Sequence, residues 1–263
     1  MEAAAQHGPI FTAEGDFWAP GAVAAGPFGG LHGGAVSGLI VARLEAEARR
    51  NDAGVALSAS VLLLRPAPMS ALHVETRVLR VGGRVSVFEA IVSADGKRIA
   101  QGVATFARTA LVEPLLEAPG AAANPADLPA WEDHPARRWP GFFDALDIRD
   151  DGDGCKWGRL LRPLTAEPSP LADLFAVADC ATAFDLSSRG LFPAPFAHPN
   201  IDIAIHVSRR PHGAWVGVAP NSDWRREAVG LTEARLFDEK GVLGRSCQAI
   251  VITPREAKGR RDS

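Results

Sequence analysis

Residues 31–47, Leu31-His32-Gly33-Gly34-Ala35-Val36-Ser37-Gly38-Leu39-Ile40-Val41-Ala42-Arg43-Leu44-Glu45-Ala46-Glu47, constrain the fold more than any other stretch. Two glycines open a helix whose apolar positions, Val36, Leu39, Ile40, Val41, Ala42 and Leu44, run most of the way round its circumference. Protein must therefore cover it on nearly every side. Alternating, Val-rich runs follow from Val55 onward, and one antiparallel sheet folded round a single helix is the simplest way to bury both. The glycines let another group approach the unpaired N–H groups of the first turn. This makes His32, Gly33 and Gly34 candidates to hold a ligand oxygen.

Strands are expected over 55–64, 73–81, 85–93 and 97–107, divided by Arg65-Pro66, Gly82-Gly83 and the hairpin dipeptide Asp95-Gly96. From 111 to 155 the chain turns rich in Pro, Ala and Asp and reads as a connector, docked through Trp131, Trp139, Phe142 and Phe143. The pattern then begins again, with a strand over 157–164, a helix over 170–188 and strands over 200–209, 214–220, 227–238 and 242–253. Arg65-Pro66 returns as Arg210-Pro211, and the glycine of Asp95-Gly96 returns in Lys240-Gly241, both 145 residues on. With the shared order of elements, this points to an internal duplication. The expected division is a first unit over 1–110, a connector over 111–155 and a second unit over 156–263.

Several function classes drop out. The 263 residues carry a formal net charge of −3, with no basic cluster outside Lys258-Gly259-Arg260-Arg261, so nucleic acid is not an expected partner. Cys155, Cys180 and Cys247 are far apart, which argues against a zinc site or a disulfide framework and makes a reducing cytoplasm the expected compartment. The first residues lack a basic start, and no run is long and uncharged enough to cross a bilayer, so neither secretion nor membrane insertion is expected. Asp150-Asp151-Gly152-Asp153-Gly154 resembles a calcium loop but has Leu161 or Arg162 where the closing carboxylate belongs, so it reads as a solvated turn. No metal or cofactor is called for: dinucleotide and Walker loops are absent, and Gly34-Ala35-Val36-Ser37-Gly38 has the wrong spacing for a nucleophile elbow.

If the halves are copies, a polar residue that replaces an apolar one is informative. At an offset of 145, Gln248 takes the place of Val103, in a strand whose neighbours are mostly apolar. Asp179 lies in the largely apolar helix around Phe175, Ala176, Ala178 and Ala183, and the first helix has no acid in its buried stretch. A carboxyl group placed there acquires a raised pKa or a specific partner, either of which marks a general-base candidate. Thr182 is one turn further along. His32, beside two glycines, reads as a turn residue or backbone anchor before it reads as a base.

These residues are arranged as in a known family. Phe28-Gly29-Gly30-Leu31-His32-Gly33-Gly34 opening a long helix, Leu64-Arg65-Pro66, Asp95-Gly96 before Ile99-Ala100-Gln101-Gly102, Ala178-Asp179, Pro199-Asn200-Ile201-Asp202 through Arg210-Pro211, Leu236-Phe237-Asp238 and Ser246-Cys247-Gln248 together resemble the acyl-CoA thioesterase II family. The resemblance covers nearly the whole chain. It implies an α+β double hotdog, two antiparallel sheets each wrapped around a long central helix and fused in one chain. It also implies hydrolysis of a fatty acyl-CoA by water, held by an aspartate, a hydroxyl residue and a glutamine. Asp179 and Gln248 match two of these positions. At the third the sequence departs from the pattern, and Asn200 is the placement adopted, with Thr182 as the other candidate. The expected mechanism is general-base attack, with Asp179 as base, Gln248 and Asn200 orienting water, and N–H groups of Gly33 and Gly34 receiving the oxyanion. Competing readings are a hotdog hydratase or dehydratase using Asp202 and His206, and a non-catalytic acyl-CoA or lipid-binding protein. The duplication supplies within one chain the pairing that single hotdogs reach by dimerising, and leaves a dimer of double hotdogs as a further expectation.

Overall fold

A computed structural model of the chain describes residues 8–110, 124–133 and 139–254. The first helix, α1, runs Gly33–Arg50, with nearly every residue from Gly34 to Leu44 buried. His32 caps its start, accepting the Gly34 N–H on Nδ1 at 3.0 Å. At its end the Asn51 side chain donates to Glu47 O at 2.9 Å, and Arg49 and Arg50 occupy the negative end of the helix dipole.

Around α1 lie β1 (Phe11–Glu14), β2 (Phe17–Pro20), β3 (Val55–Leu63), β4 (Leu72–Arg80), β5 (Val85–Ala94) and β6 (Lys97–Ala107). The second half holds β7 (Leu146–Asp150), β8 (Lys156–Leu160), α2 (Pro170–Ala178), α3 (Ala181–Ser188), β10 (Asp202–Val207), β11 (Val216–Trp224), β12 (Val229–Asp238) and β13 (Gly241–Val251). Two-residue strands β9 (Phe196–Ala197) and β14 (Thr253–Pro254) pair apart from the main sheet. The other strands run β1-β2-β4-β5-β6-β3-β10-β13-β12-β11-β8-β7, the same order read outward from a central seam in either direction. The two expected sheets are thus continuous: Ser58–Leu62 of β3 pairs antiparallel with Asp202–His206 of β10.

Four expectations need correction. The duplication offset is 144, not 145. Ser60 pairs with Ala204 across the seam, and outward from it Val103 and Cys247, Glu89 and Glu233, and Arg77 and Asn221 hold matching places. An odd offset is excluded because side chains alternate faces along a strand, and a slip of one residue would exchange core and solvent. The counterpart of Gln248 is therefore the buried Ala104. Secondly, the stretch read as connector contains β7, which forms with β8 the hairpin that β1 and β2 form in the first half. Residues 111–123 and 134–138 of that stretch lie outside the described residues. Thirdly, the helix expected over 170–188 is broken between Ala178 and Ala181. The break has a tertiary cause: the Gln248 side chain donates to Ala178 O at 2.8 Å, occupying a carbonyl that would serve a continuous helix. Fourthly, Asn200 precedes β10 and joins the sheet only through an isolated bridge to Ile250.

Helices α1 and α2 cross the seam in antiparallel contact. A Cβ on Gly34 would lie 2.6 Å from Ala176 O, and one on Gly38 would lie 3.3 Å from Ala172 O, so the two backbones approach as closely as they do only because these residues are glycine. The main apolar core is correspondingly drawn from both halves, and a small second cluster of Cys155, Trp157 and Trp215 lies within the second half. Among the described residues no helix is long and apolar enough to cross a membrane.

Candidate functional site

Three segments converge at the seam. The start of α1 brings His32 and Gly33, the break between α2 and α3 brings Asp179, and the segment before β10 brings Asn200. The Asp179 side chain is only 4 % exposed, with Oδ2 3.3 Å from His32 Nδ1, and its Oδ1 accepts from Asn200 Nδ2 at 2.8 Å. A Cβ on Gly33 would stand 3.0 and 3.2 Å from the two carboxylate oxygens, so the absence of a side chain there makes room for the acid. Burial pushes the Asp179 pKa up to about 6, against hydrogen bonds from Asn200 and the Gly34 N–H that favour the carboxylate. A carboxyl group so poised is ionised at neutral pH yet a much stronger proton acceptor than an exposed aspartate.

His32 is the anchor the sequence suggested. Burial drives its pKa down to about 3, so the ring is neutral. It stacks on Phe142 with centroids 4.5 Å apart and meets Phe143 edge-on at 5.1 Å. Nδ1 already accepts from Gly34, which fixes the ring and rules out an ion pair with Asp179 despite the short separation.

Two hollows meet at these side chains. A groove of about 490 Å³ is bordered by Phe28, Leu31, Val36, Leu63, Ile99 and Ile201, and has Gly33, Asp179 and Asn200 in its wall. A chamber of about 50 Å³, room for water but not for a chain, shares His32, Asp179 and Asn200 with the groove and adds Cys180, Thr182 and His198. An apolar slot ending on a buried acid, with a water-sized space against the same acid, is suited to activating water against an acyl group.

Other candidates fare differently. Gly34 does not border the groove, and its N–H is shared between His32 and Asp179, so of the two glycines at the helix start only Gly33 borders the groove. Gln248 borders neither hollow. Its side chain reaches Ala178 O, one residue before Asp179, while its Oε1 is buried without a partner among the described residues. Thr182 borders the chamber and hydrogen-bonds Thr232 at 3.0 Å. Asp202 and His206 are not brought to the site. They share the outer sheet face, Asp202 accepts the Ala249 N–H at 2.7 Å, and neither borders the groove or chamber, so the acid and histidine that a hydratase reading needs do not face these hollows. Sequence reasoning missed Thr232 and Ser222, inward-facing polar residues that join Thr182. Thr232 shares the inward alternation of Ala234 and Leu236, and at the corrected offset it stands where the first half has Phe88, the polar-for-apolar replacement that singled out Gln248.

The sequence matches the acyl-CoA thioesterase N-terminal domain over residues 23–107 and the acyl-CoA thioesterase C-terminal domain over residues 119–252. The chain belongs to the acyl-CoA thioesterase family. Solved structures share the architecture of this family member along almost its full length. A hot dog fold protein of unknown function from Alicyclobacillus acidocaldarius superposes with a TM-score of 0.71 at 15 % identity, covering 93 % of this chain and 96 % of that one. A proposed thioesterase II from Thermobifida fusca gives 0.69 at 16 %, covering 92 % and 94 %. Acyl-CoA thioesterase II TesB2 from Mycobacterium marinum gives 0.65 at 17 %, covering 92 % and 95 %. At these identities the likeness establishes the fold, a double hotdog. No curated protein matches the sequence.

Proposed function

We propose that this thioesterase-family chain hydrolyses the thioester of an acyl-CoA, with Asp179 as the general base. The acyl chain lies in the apolar groove and its carbonyl carbon faces Asp179. A water held by Asp179 and the Asn200 carbonyl oxygen attacks while the Gly33 N–H receives the developing oxyanion. Asn200 takes the place of the hydroxyl residue that the resemblance implies. It orients water but relays no proton, so proton transfer rests on the acid alone. Gln248 is a positioning residue: it fixes the bend that aims Asp179 and presents an open acceptor behind it. The observation that carries this reading is one buried acid, raised to about 6 by desolvation, standing between an apolar groove and a water-sized chamber. Cys155, Cys180 and Cys247 are all free thiols, which accords with the proposed cytoplasmic setting; the proposed role in lipid metabolism follows from the acyl-CoA substrate.

The test is thiol release from a series of acyl-CoAs, acetyl to palmitoyl, by the parent and by Asp179→Ala. Turnover by the parent that falls about 10²- to 10⁴-fold in the variant is expected. Acyl-CoA binding without thiol release by the parent would overturn hydrolysis and make the chain a binding protein.

A further inference from the structure

A thioester has two arms, the acyl chain and the pantetheine of CoA, and a single hollow has to take both. The chamber of about 50 Å³ behind Asp179 admits water and no chain. Both arms therefore leave the reacting carbon through the groove of about 490 Å³, whose two ends differ. Phe28, Leu64, Arg65, Ile201 and Thr253 are exposed and mark an end open to solvent. Val36 and Ile99 are buried and mark an end inside the protein. The nucleotide of CoA is far too large and too charged to be buried in an apolar slot, so pantetheine takes the open end and the acyl chain the inner one.

The inner end is closed at a definable depth. Gly33 and Val36 share one face of α1, and the next residue on that face, Ile40, does not border the groove. On the sheet side Leu63 borders it, whereas Val61, the next inward residue of β3, does not. Both walls stop at one level because helix and sheet touch there: a Cβ on Gly102 of β6 would lie 2.6 Å from Ile40 Cγ2 and 3.2 Å from Val61 Cγ2. Glycine at this position brings the sheet backbone against Ile40 and leaves no passage beyond Val36. From Gly33 to Val36 the helix advances about 4.5 Å. An extended acyl chain advances about 1.25 Å per carbon, a bond of about 1.5 Å projected along the chain. The hydrogen-bond distance that sets a carbonyl outside the Gly33 N–H nearly cancels the contact distance kept from Val36. The pocket thus has length for about three to four carbons beyond the carbonyl, and a longer chain would have to double back into the space that pantetheine occupies.

We propose that the substrates are short-chain acyl-CoAs, with acyl groups of about four to six carbons, and that Val36 sets this limit as the floor of a blind pocket. The proposal rests on the hydrolytic reading for the fate of the thioester. Val36 is a specificity-determining residue, with no part in the chemistry.

The experiment measures kcat/KM for thiol release from acetyl-, butyryl-, hexanoyl-, octanoyl- and decanoyl-CoA by the parent, Val36→Ala and Val36→Ile, and the affinity of Asp179→Asn for the same set by calorimetry. In the parent kcat/KM should rise about fourfold for each carbon that fits, reach its maximum at butyryl or hexanoyl, and fall about tenfold or more by octanoyl. Val36→Ala lowers the floor and should move the maximum to a longer chain. Val36→Ile raises it and should cut hexanoyl relative to butyryl about tenfold. Either variant suffices if the other fails to fold, because the order of chain lengths, and not the overall rate, is the readout. A parental maximum at octanoyl or beyond, or an unchanged order of chain lengths in the folded variants, would overturn the pocket limit and leave hydrolysis standing. A parent that releases no thiol would overturn hydrolysis, and calorimetry then decides the pocket by itself: affinity that drops beyond hexanoyl upholds the limit, and affinity that keeps rising to decanoyl overturns it.

Discussion

Replacing Asp179 with asparagine should abolish turnover and strengthen the fold, and the second effect has a calculable pH dependence. The folded protein holds the Asp179 proton up to about pH 6, whereas the ordinary value of the group is 3.8. Between these two pH values the folded state binds more protons than the unfolded state, so stability falls as pH rises. Above pH 6 the full cost of the buried carboxylate is present, about 3 kcal/mol at about 1.4 kcal/mol for each pH unit of displacement. Asp179→Asn removes that cost. It keeps an acceptor for Asn200 Nδ2, and its amide nitrogen takes the place of an oxygen 3.3 Å from the neutral His32 Nδ1, whose lone pair stays with the Gly34 N–H. Urea unfolding at pH 8 should therefore show the variant more stable than the parent by up to about 3 kcal/mol, shrinking to nothing near pH 4. Thiol release at pH 8 should fall by about 10²- to 10⁴-fold. A variant no more stable than the parent at pH 8, or stabilised equally at pH 4, would refute the assignment of a costly buried charge to this residue.

Two further outcomes follow from the same geometry. Asn200→Ala removes the donor 2.8 Å from Oδ1 that favours the carboxylate, so the acid limb of the pH–rate profile should move about one pH unit upward; an unmoved limb would mean that Asn200 does not act on Asp179. Gly34→Ala places a Cβ 2.6 Å from the Ala176 carbonyl. Forcing α1 and α2 apart should cost about 1–3 kcal/mol in thermal or urea unfolding, outweighing the roughly 1 kcal/mol by which alanine favours a helix.

Much of the fold was legible because its signals are periodic. The all-round apolar pattern after Gly33-Gly34 predicts α1, which begins at Gly33, and the alternation with the Asp95-Gly96 turn predicts β6 to the residue. The site was legible in part. Asp179 stood out because a carboxylate in an apolar helix has little structural excuse, and its contact with Gly33 realises the expected meeting of the two halves. What the sequence hid was set by tertiary contact. The helix break follows from a hydrogen bond between Gln248 and Ala178, 70 residues apart in sequence, and no local breaker announces it. The matching dipeptides give an offset of 145 because they come from turns, where loops drift by a residue, whereas strand register, which gives 144, is fixed by which face is buried. Gly34 is closed to an oxyanion by a local contact, His32 Nδ1 two residues earlier at 3.0 Å, which sequence does not announce because histidine is not among the residues that usually cap a helix start.

The seam between β3 and β10 also bears on how such a chain can evolve. In an assembly of identical subunits, every change to one interior is copied into all the others, so an acid or hydroxyl tolerated near one catalytic centre must be tolerated everywhere. Covalent fusion lifts that restriction. Here one half carries Phe88 and Ala104 where the other carries Thr232 and Gln248. The first half is thereby free to supply apolar walls, His32 and the bare backbone at Gly33, while the second supplies the buried acid and its amide neighbour.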